Sequence, residues 1–198
     1  MLFRSTDSTA QKILASGAPA IYATVNAGKG ATLAKGLEKL RKSDYKAAVL
    51  MDSDGQHDPE EIGRFLQALE KGADLVIGDR MADPKDMPFI RVATNKTMSW
   101  IISTVAGQKV ADSQSGFRAF SRKAIDSIRL RSSRFETESE MILSASDSGL
   151  RIASVPISCV YGDEVSHIRP VRDTVRFFKF LFRYVVTRDK LKKQLNQH

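Results

Sequence analysis

The sequence predicts an α/β fold, a three-layer α/β/α sandwich built around a mainly parallel sheet. Short β-branched, apolar runs alternate with helical segments, and no Gly/Ser-rich linker or internal repeat divides the chain. Nearly continuous apolar strands separated by helices are typical of a parallel sheet covered on both faces. With 198 residues, 42% of them hydrophobic, the chain is long enough for one domain with a sizeable core.

The predicted elements follow one another in a regular order. Asp58 is expected to cap the second helix, with Pro59 at its first position, where a missing N–H costs nothing. Ligands of such folds bind beyond the carboxyl ends of the strands. The strands are predicted at 20–25, 47–51, 74–78, 117–120 and 150–157, and the helices at 31–41, 59–71, 88–106 and 135–148.

A different pattern marks the end of the chain. Residues 171–186 place aromatic and aliphatic side chains among four basic ones. A helix of this kind suits a membrane interface, with its aromatics buried and its basic residues toward anionic headgroups. Packing on the domain's own sheet, or on a partner protein, is the alternative. We therefore predict a domain over 1–170 and a basic amphipathic helix over 171–198.

Net charge and cysteine content narrow the classes of partner. The formal charge of +8 and a pI near 9.7 indicate an anionic partner: nucleic acid, acidic lipid or a diphosphate. Nucleic acid is the weakest of these, because the charge is dispersed and no helix-turn-helix, zinc-finger or RNP motif is present. Cys159 is the single cysteine, so neither an internal disulfide nor a zinc cluster is expected. No apolar run reaches the roughly 20 residues that span a bilayer.

The strongest chemical signal is an acidic segment directly after the second strand. Asp52 and Asp54 are two residues apart, which in extended chain puts both carboxylates on one side. Such oxygen ligands suit Mg²⁺ or Mn²⁺, with other positions left for water and phosphate oxygens. Gln56 adds a neutral oxygen. The alternative is an acidic turn that only caps the following helix.

A glycine-flanked lysine precedes the first predicted helix. Gly28 and Gly30 let the backbone approach a ligand, and Lys29 between them is able to meet a phosphate. The remaining residues of a P-loop are missing, which excludes that class of ATPase. An ordinary strand-to-helix turn is the alternative.

Further segments follow these two motifs along the chain. In order, the series is N-A-G-K-G-A at 26–31, D-S-D-G-Q at 52–56, G-D-R at 78–80, D-S-Q-S-G-F-R at 112–118, F-E-T-E at 135–138, V-P-I at 155–157 and S-H-I-R-P at 166–170. This series resembles that of family-two glycosyltransferases with the GT-A fold, particularly the polyprenyl-phosphate sugar transferases related to dolichyl-phosphate mannose synthase. The resemblance extends over essentially the whole chain.

At the donor end, the resemblance implies that Asp52, Asp54 and Gln56 hold the metal that bridges the donor diphosphate. Asp112 and Gln114 are implied to face the sugar or the acceptor, with Asp112 as a base or, alternatively, as a helix cap. Glu138 is implied to hydrogen-bond a sugar hydroxyl, and its alternative is a solvated helix carboxylate. These three are the implied catalytic residues.

At the acceptor end, Arg80 and Arg91 are assigned to a phosphate, because arginine forks match phosphate oxygens well. Asn95 shares the face of Arg91 if that segment is helical. Ser166 and His167, in the loop before the tail helix, complete the predicted substrate-binding set together with Lys29. An acceptor phosphate is already anionic and needs little help from a base.

The first strand of the family pattern has no counterpart in this sequence. The resemblance implies a preceding strand and a base-binding segment of about 40 residues, judged from the size of a mononucleotide-binding half. Residues 1–9 keep only an S-T-D-x-T echo, and no strand is expected there. A misassigned start, an artificial truncation or a genuinely shortened protein would each explain this.

The resemblance therefore implies an inverting, metal-dependent transfer from a nucleotide-diphosphate sugar, GDP-mannose or a UDP-sugar, to a polyprenyl phosphate. The expected location is the cytoplasmic face of the membrane, and self-association into a homo-oligomer stays open. A soluble or polysaccharide acceptor, or a truncated non-catalytic remnant, are the alternatives.

Overall fold

The computed structural model describes residues 2–3, 9–17, 21–22, 28–52, 54–85, 87–132, 136–158 and 170–195. The chain divides into two compact units, Met1–Gly162 and Asp163–His198. The first unit holds strands β1 (Leu2–Phe3), β2 (Ile21–Tyr22), β3 (Ala47–Leu50), β4 (Leu75–Asp79), β5 (Arg118–Ser121) and β6 (Ile152–Pro156), and helices α1 (Thr9–Ala15), α2 (Lys29–Arg41), α3 (Ile62–Glu70), α4 (Phe89–Ala106), α5 (Arg122–Ser127) and α6 (Thr137–Asp147).

Four strands form the main sheet in the order β3-β5-β4-β6, and β1 and β2 pair in parallel as a separate two-stranded sheet. Ala119 of β5 lies between Val49 of β3 and Val76 of β4, antiparallel to both. Val76 also faces Ala153 of β6, in parallel. Three strands thus run in one direction, as predicted, and β5 runs in the other. Its direction was not predicted, because a short apolar strand has the same pattern read from either end.

Both faces of β4 are covered. Leu75, Val76 and Ile77 are all fully buried, although successive side chains of a strand point to opposite faces. Val76 belongs to a core cluster with Phe65 of α3 and Phe117, whose rings stack with their centroids 4.2 Å apart. The sheet is therefore covered on both faces, as expected for the predicted α/β class.

The predicted helix start at Asp58 is also confirmed. Asp58 accepts a hydrogen bond from the backbone N–H of Glu60 at 2.9 Å, and Pro59 opens a 3₁₀ turn that leads into α3. At the other end of a helix, Gly107 takes φ 68° and ends α4 in a left-handed cap. The sequence analysis missed α1 and α5, and its expectation of no strand before Thr9 is wrong, because Leu2–Phe3 forms β1.

The described residues of the second unit form one long helix, α7 (Pro170–Leu195). It starts one residue before the predicted helix of residues 171–198 and continues to Leu195, so the described helix agrees with that prediction. Its exposed apolar side chains recur at helical spacing and form one stripe: Val175, Phe178, Phe182 and Val186. None of the described helices combines the length and the apolar character needed to cross a membrane.

Candidate active site

The polar motifs meet at one edge of the main sheet. Asp52 follows the carboxyl end of β3, and Arg80 follows the carboxyl end of β4. The segment 112–117 enters the antiparallel strand β5 from the same edge. The reversed direction of β5 therefore brings a third motif to the place where the parallel strands end.

The Lys29 ammonium bridges the carboxylates of Asp52 and Glu138. Its Nζ lies 2.9 Å from Oδ1 of Asp52 and 2.8 Å from Oε1 of Glu138. Burial lowers the pKa of Lys29, but the two carboxylates outweigh this and leave the pKa above its usual value. The ammonium group is thus held charged between Asp52 and Glu138.

Glu138 lies in the first turn of α6 and is only 7% exposed. The alternative of a solvated helix carboxylate is therefore wrong. Within the described part of the chain, its Oε2 atom is buried and has no hydrogen-bond partner. A buried acceptor of this kind is available for a ligand hydroxyl.

Gly116 makes room for Asp52. A Cβ atom at Gly116 would lie 2.1 Å from Oδ2 of Asp52 and 2.8 Å from its Cγ, so no larger residue fits without moving the carboxylate. The sequence analysis gave no role to Gly116, although a glycine directly before a predicted strand signals a close approach of this kind.

Asp54 and Gln56 follow in a turn on the solvent side. The backbone N–H of Gln56 donates to Oδ1 of Asp54 at 3.0 Å. His57 is buried behind this turn, with its ring centroid 5.1 Å from that of Phe117. Burial lowers the pKa of His57, against the opposing effect of Asp52 and Asp54. His57 therefore packs as a neutral side chain beneath the acidic turn.

The acidic turn fits a hard divalent cation. Asp52, Asp54 and Gln56 offer oxygen atoms only, and the Lys29 ammonium shows that a cation is favoured beside Asp52. Among the residues that the structure describes, no three His, Cys, Asp or Glu side chains form a complete ligand group. A metal here would complete its coordination with water and substrate oxygens, as Mg²⁺ commonly does.

Arg80 and Asp112 form a buried, bidentate ion pair. Nε of Arg80 lies 2.6 Å from Oδ2 of Asp112, and Nη2 lies 3.0 Å from Oδ1. Oδ1 also accepts from the backbone N–H of Gln114 at 3.1 Å. Arg80 is 7% exposed and Asp112 is 0% exposed. Both oxygens of the predicted base are therefore engaged by protein groups.

The remaining predicted residues are spread more widely. Gln114 donates from Nε2 to Oγ of Ser113 at 3.1 Å. Arg91 and Asn95 lie one turn apart in α4, which confirms the helix on which their shared face depends; Asn95 is buried. Ser166 and His167 lie outside the described residues.

Sequence reasoning missed the role of Arg118, whose side chain is fully buried. It donates to the backbone carbonyls of Ser113, Ser115 and Glu138 at 2.9, 2.9 and 2.7 Å. Burial lowers its pKa to about 10, so it stays charged at neutral pH. Arg118 therefore ties the segment before β5 to the first turn of α6, where Glu138 lies.

The family model described as Glycosyl transferase family 2 matches residues 4–129. An uncharacterised protein of Methanocaldococcus jannaschii is 34% identical over 188 residues, which are 92% of this chain and 76% of that protein. The UDP-N-acetylglucosamine–dolichyl-phosphate N-acetylglucosaminyltransferase of Methanococcus voltae is 37% identical over 142 residues, 69% of this chain. The chain spans 57% of the length of that transferase.

Solved structures confirm the GT-A fold. Glucosyl-3-phosphoglycerate synthase from Mycobacterium tuberculosis, in complex with Mn²⁺, UDP and phosphoglyceric acid, superposes with a TM-score of 0.66 at 19% identity. The match covers 93% of this chain and 64% of the synthase.

Proposed function

The chain belongs to glycosyl transferase family 2, and on this premise we propose that it transfers a sugar from a nucleotide-diphosphate sugar to a polyprenyl phosphate. The transfer inverts the configuration at the sugar carbon and depends on Mg²⁺ or Mn²⁺. The observation that carries the proposal is the pairing of Asp52 and Glu138 through Lys29 at the carboxyl edge of the sheet. This edge provides carboxylate oxygens for a metal, an ammonium group for a diphosphate and a hydrogen-bond acceptor for a sugar hydroxyl.

At the donor end, Asp52, Asp54 and Gln56 are the residues that would hold the metal. A bound divalent ion stabilises the charge that the nucleoside diphosphate gains as the glycosidic bond breaks. Lys29 adds a positive charge to the same place. The unpaired Oε2 of Glu138 accepts a hydrogen bond from a sugar hydroxyl and thereby orients the sugar.

At the acceptor end, we assign the phosphate to Arg80 and to Arg91 and Asn95 of α4. Ser166 and His167, which lie outside the described residues, are assigned to substrate from the sequence resemblance alone. Asp112 acts by orienting Arg80, because both of its oxygens are engaged. The acceptor oxygen is already negatively charged at neutral pH, and the reaction therefore proceeds without a separate base.

We place residues 1–170 as the catalytic domain and α7 as a membrane-interface helix on the cytoplasmic face. Support comes from the exposed stripe on α7, in which Phe178 and Phe182 are 51% and 72% exposed. Lys179 and Arg183 are exposed beside them. Apolar side chains flanked by basic ones favour an anionic lipid surface.

Nucleotide binding tests the donor half of the proposal. UDP and GDP are titrated into the full chain by calorimetry with and without Mn²⁺, and we expect Mn²⁺ to tighten one of them. Asp54→Ala should abolish the tightening, whereas the control Asp44→Ala, an exposed carboxylate at the opposite end of β3, should retain it. A folded chain that binds neither nucleotide would favour the non-catalytic alternative.

Vesicle sedimentation tests the acceptor half. The full chain should sediment with vesicles that contain anionic phospholipid, and the variant Phe178→Ser/Phe182→Ser should not. Sugar transfer to a polyprenyl phosphate in those vesicles should fall with it. Transfer to a soluble phosphate with no effect of these substitutions would instead support a soluble acceptor.

A further inference from the structure

The position of Lys29 has a consequence for metal binding. Its ammonium lies 2.9 Å from one carboxylate oxygen of Asp52 and 3.2 Å from the other. We propose that Lys29 is a tethered counter-cation that makes divalent metal binding at Asp52 conditional on the donor diphosphate. The inference rests on the proposed function and assigns to this site a control that the transfer itself does not require.

The two cations compete for the same oxygens. A Mg²⁺ ion binds carboxylate oxygens at about 2.1 Å, and Mn²⁺ binds them similarly. The Lys29 ammonium stands in front of both oxygens of Asp52. Because a divalent ion repels an ammonium group at such a separation, the metal binds Asp52 only when Lys29 withdraws.

The position of Lys29 allows its ammonium group to move away from Asp52. It is the first residue of α2, and its side chain is 37% exposed. The preceding residue, Gly28, has φ 89°, a conformation that favours glycine. The flexible four-carbon stem of lysine lets the ammonium move by several ångströms while the helix stays in place.

A donor diphosphate offers the Lys29 ammonium new partners, which allows it to leave Asp52. Phosphate oxygens replace Asp52 as partners of the ammonium, and the N-terminus of the 13-residue helix α2 favours their negative charge. Asp52 would then be able to hold the divalent metal. A sugar hydroxyl replaces the ammonium as the partner of Glu138, which is 7% exposed and needs a partner when buried.

Without the diphosphate, each of these exchanges leaves a charge unpaired. Withdrawal of Lys29 would leave Glu138 buried without its cation, which is unfavourable. The metal alone replaces Lys29 at Asp52 but not at Glu138. Metal and nucleotide are therefore expected to bind cooperatively, and Lys29 is the residue that couples the two binding events.

The test measures Mn²⁺ affinity rather than turnover. Free Mn²⁺ is followed by electron paramagnetic resonance during titration of the full chain, first alone and then with GDP-mannose or UDP-glucose, which carry both the diphosphate and the sugar hydroxyls. Lys29→Met should bind Mn²⁺ alone about tenfold more tightly than the wild type, and the gain in Mn²⁺ affinity caused by the nucleotide should shrink by a similar factor, within the usual range of couplings between sites.

Lys42→Met is the matched control. Lys42 lies just beyond the opposite end of the same helix, where it forms an exposed ion pair with Glu38 at 3.0 Å. This substitution removes the same charge without touching Asp52, so Mn²⁺ binding should stay unchanged. A tenfold change in both variants would show that net charge alone is responsible and would overturn the inference.

A double variant that leaves no buried charge unpaired tests the inference with less risk of misfolding. Lys29→Met/Glu138→Gln removes both members of the inner ion pair, and it too should bind Mn²⁺ alone more tightly than the wild type. Circular dichroism and thermal unfolding verify the fold of each variant. Equal or weaker Mn²⁺ binding in a folded variant would overturn the role of Lys29 while the wild type still shows nucleotide-dependent tightening. Failure of the proposed function is distinct, because the wild type would then show no tightening.

Discussion

Replacing Gly116 by alanine places a methyl group against the Asp52 carboxylate. The new Cβ atom would lie 2.1 Å from Oδ2, whereas ordinary contacts of such atoms begin at 3.4 Å. The carboxylate must therefore retreat by about 1 Å, a misplacement that costs up to about 10²-fold at sites where geometry decides the rate. We expect Mn²⁺-dependent nucleotide affinity to fall by about 10- to 100-fold in Gly116→Ala.

Two other glycines provide matched controls. At Gly63 in α3, a Cβ atom meets nothing within 4 Å, so Gly63→Ala should stabilise the helix by about 0.5–1 kcal/mol and leave nucleotide affinity unchanged. At Gly78, a Cβ atom would lie 2.6 Å from Cδ1 of Ile157 and 3.2 Å from Cζ of Phe65. Gly78→Ala overpacks the core and should destabilise the fold by about 1–3 kcal/mol.

Urea unfolding and calorimetric titration of each variant separate the two effects. Gly116→Ala should lose nucleotide affinity with little loss of stability, and Gly78→Ala should lose stability while its folded fraction still binds. Wild-type affinity in a folded Gly116→Ala variant would refute the reasoning, because it would mean that the position of Asp52 does not determine binding.

Three further substitutions test the buried polar groups. Arg80→Met leaves Asp112 buried without its cation and should lower the free energy of unfolding in urea by about 3–5 kcal/mol. The double variant Arg80→Met/Asp112→Leu should recover most of this loss, and additive losses would contradict the pairing. Glu140→Gln weakens the bonds that its carboxylate accepts from the backbone of Arg131 and from Ser132, and should cost about 1.5–3 kcal/mol; unchanged stability would exclude this anchoring role. Burial lowers the pKa of His57, so the unfolded chain binds a proton near pH 6.5 that the folded chain does not, and stability should fall as the pH drops below that value. In His57→Phe this part of the pH dependence should disappear; an unchanged slope would assign it to other groups.

The sequence predicted most elements because their signals are local. Asp58 and Pro59 mark a helix start by their own chemistry, and the apolar run of β4 identifies a covered strand. The contacts of Lys29 were not predictable in this way, because Asp52 and Glu138 come from separate elements far along the chain. Spacing within a motif gives no information about which distant motif will face it.

Arg118 illustrates the same limit. The sequence identifies Arg118 only as the last residue of the D-S-Q-S-G-F-R motif. Its burial and its bond to the carbonyl of Glu138 depend on the position of α6. The Arg80–Asp112 pair likewise joins two residues that the sequence analysis assigned to separate tasks. Residue types and their order were sufficient to predict the family and the edge of the sheet that carries the site, but the pairing of charges required the fold.

The place of β5 in the sheet also constrains how the protein is made. Strands β3 and β4 leave the ribosome first, yet each pairs with β5 rather than with the other. Until Arg118–Ser121 emerges, both strands present unpaired edges, which invite association with other nascent chains. The main sheet is therefore complete only after β5 has inserted between β3 and β4 and the later strand β6 has paired with β4.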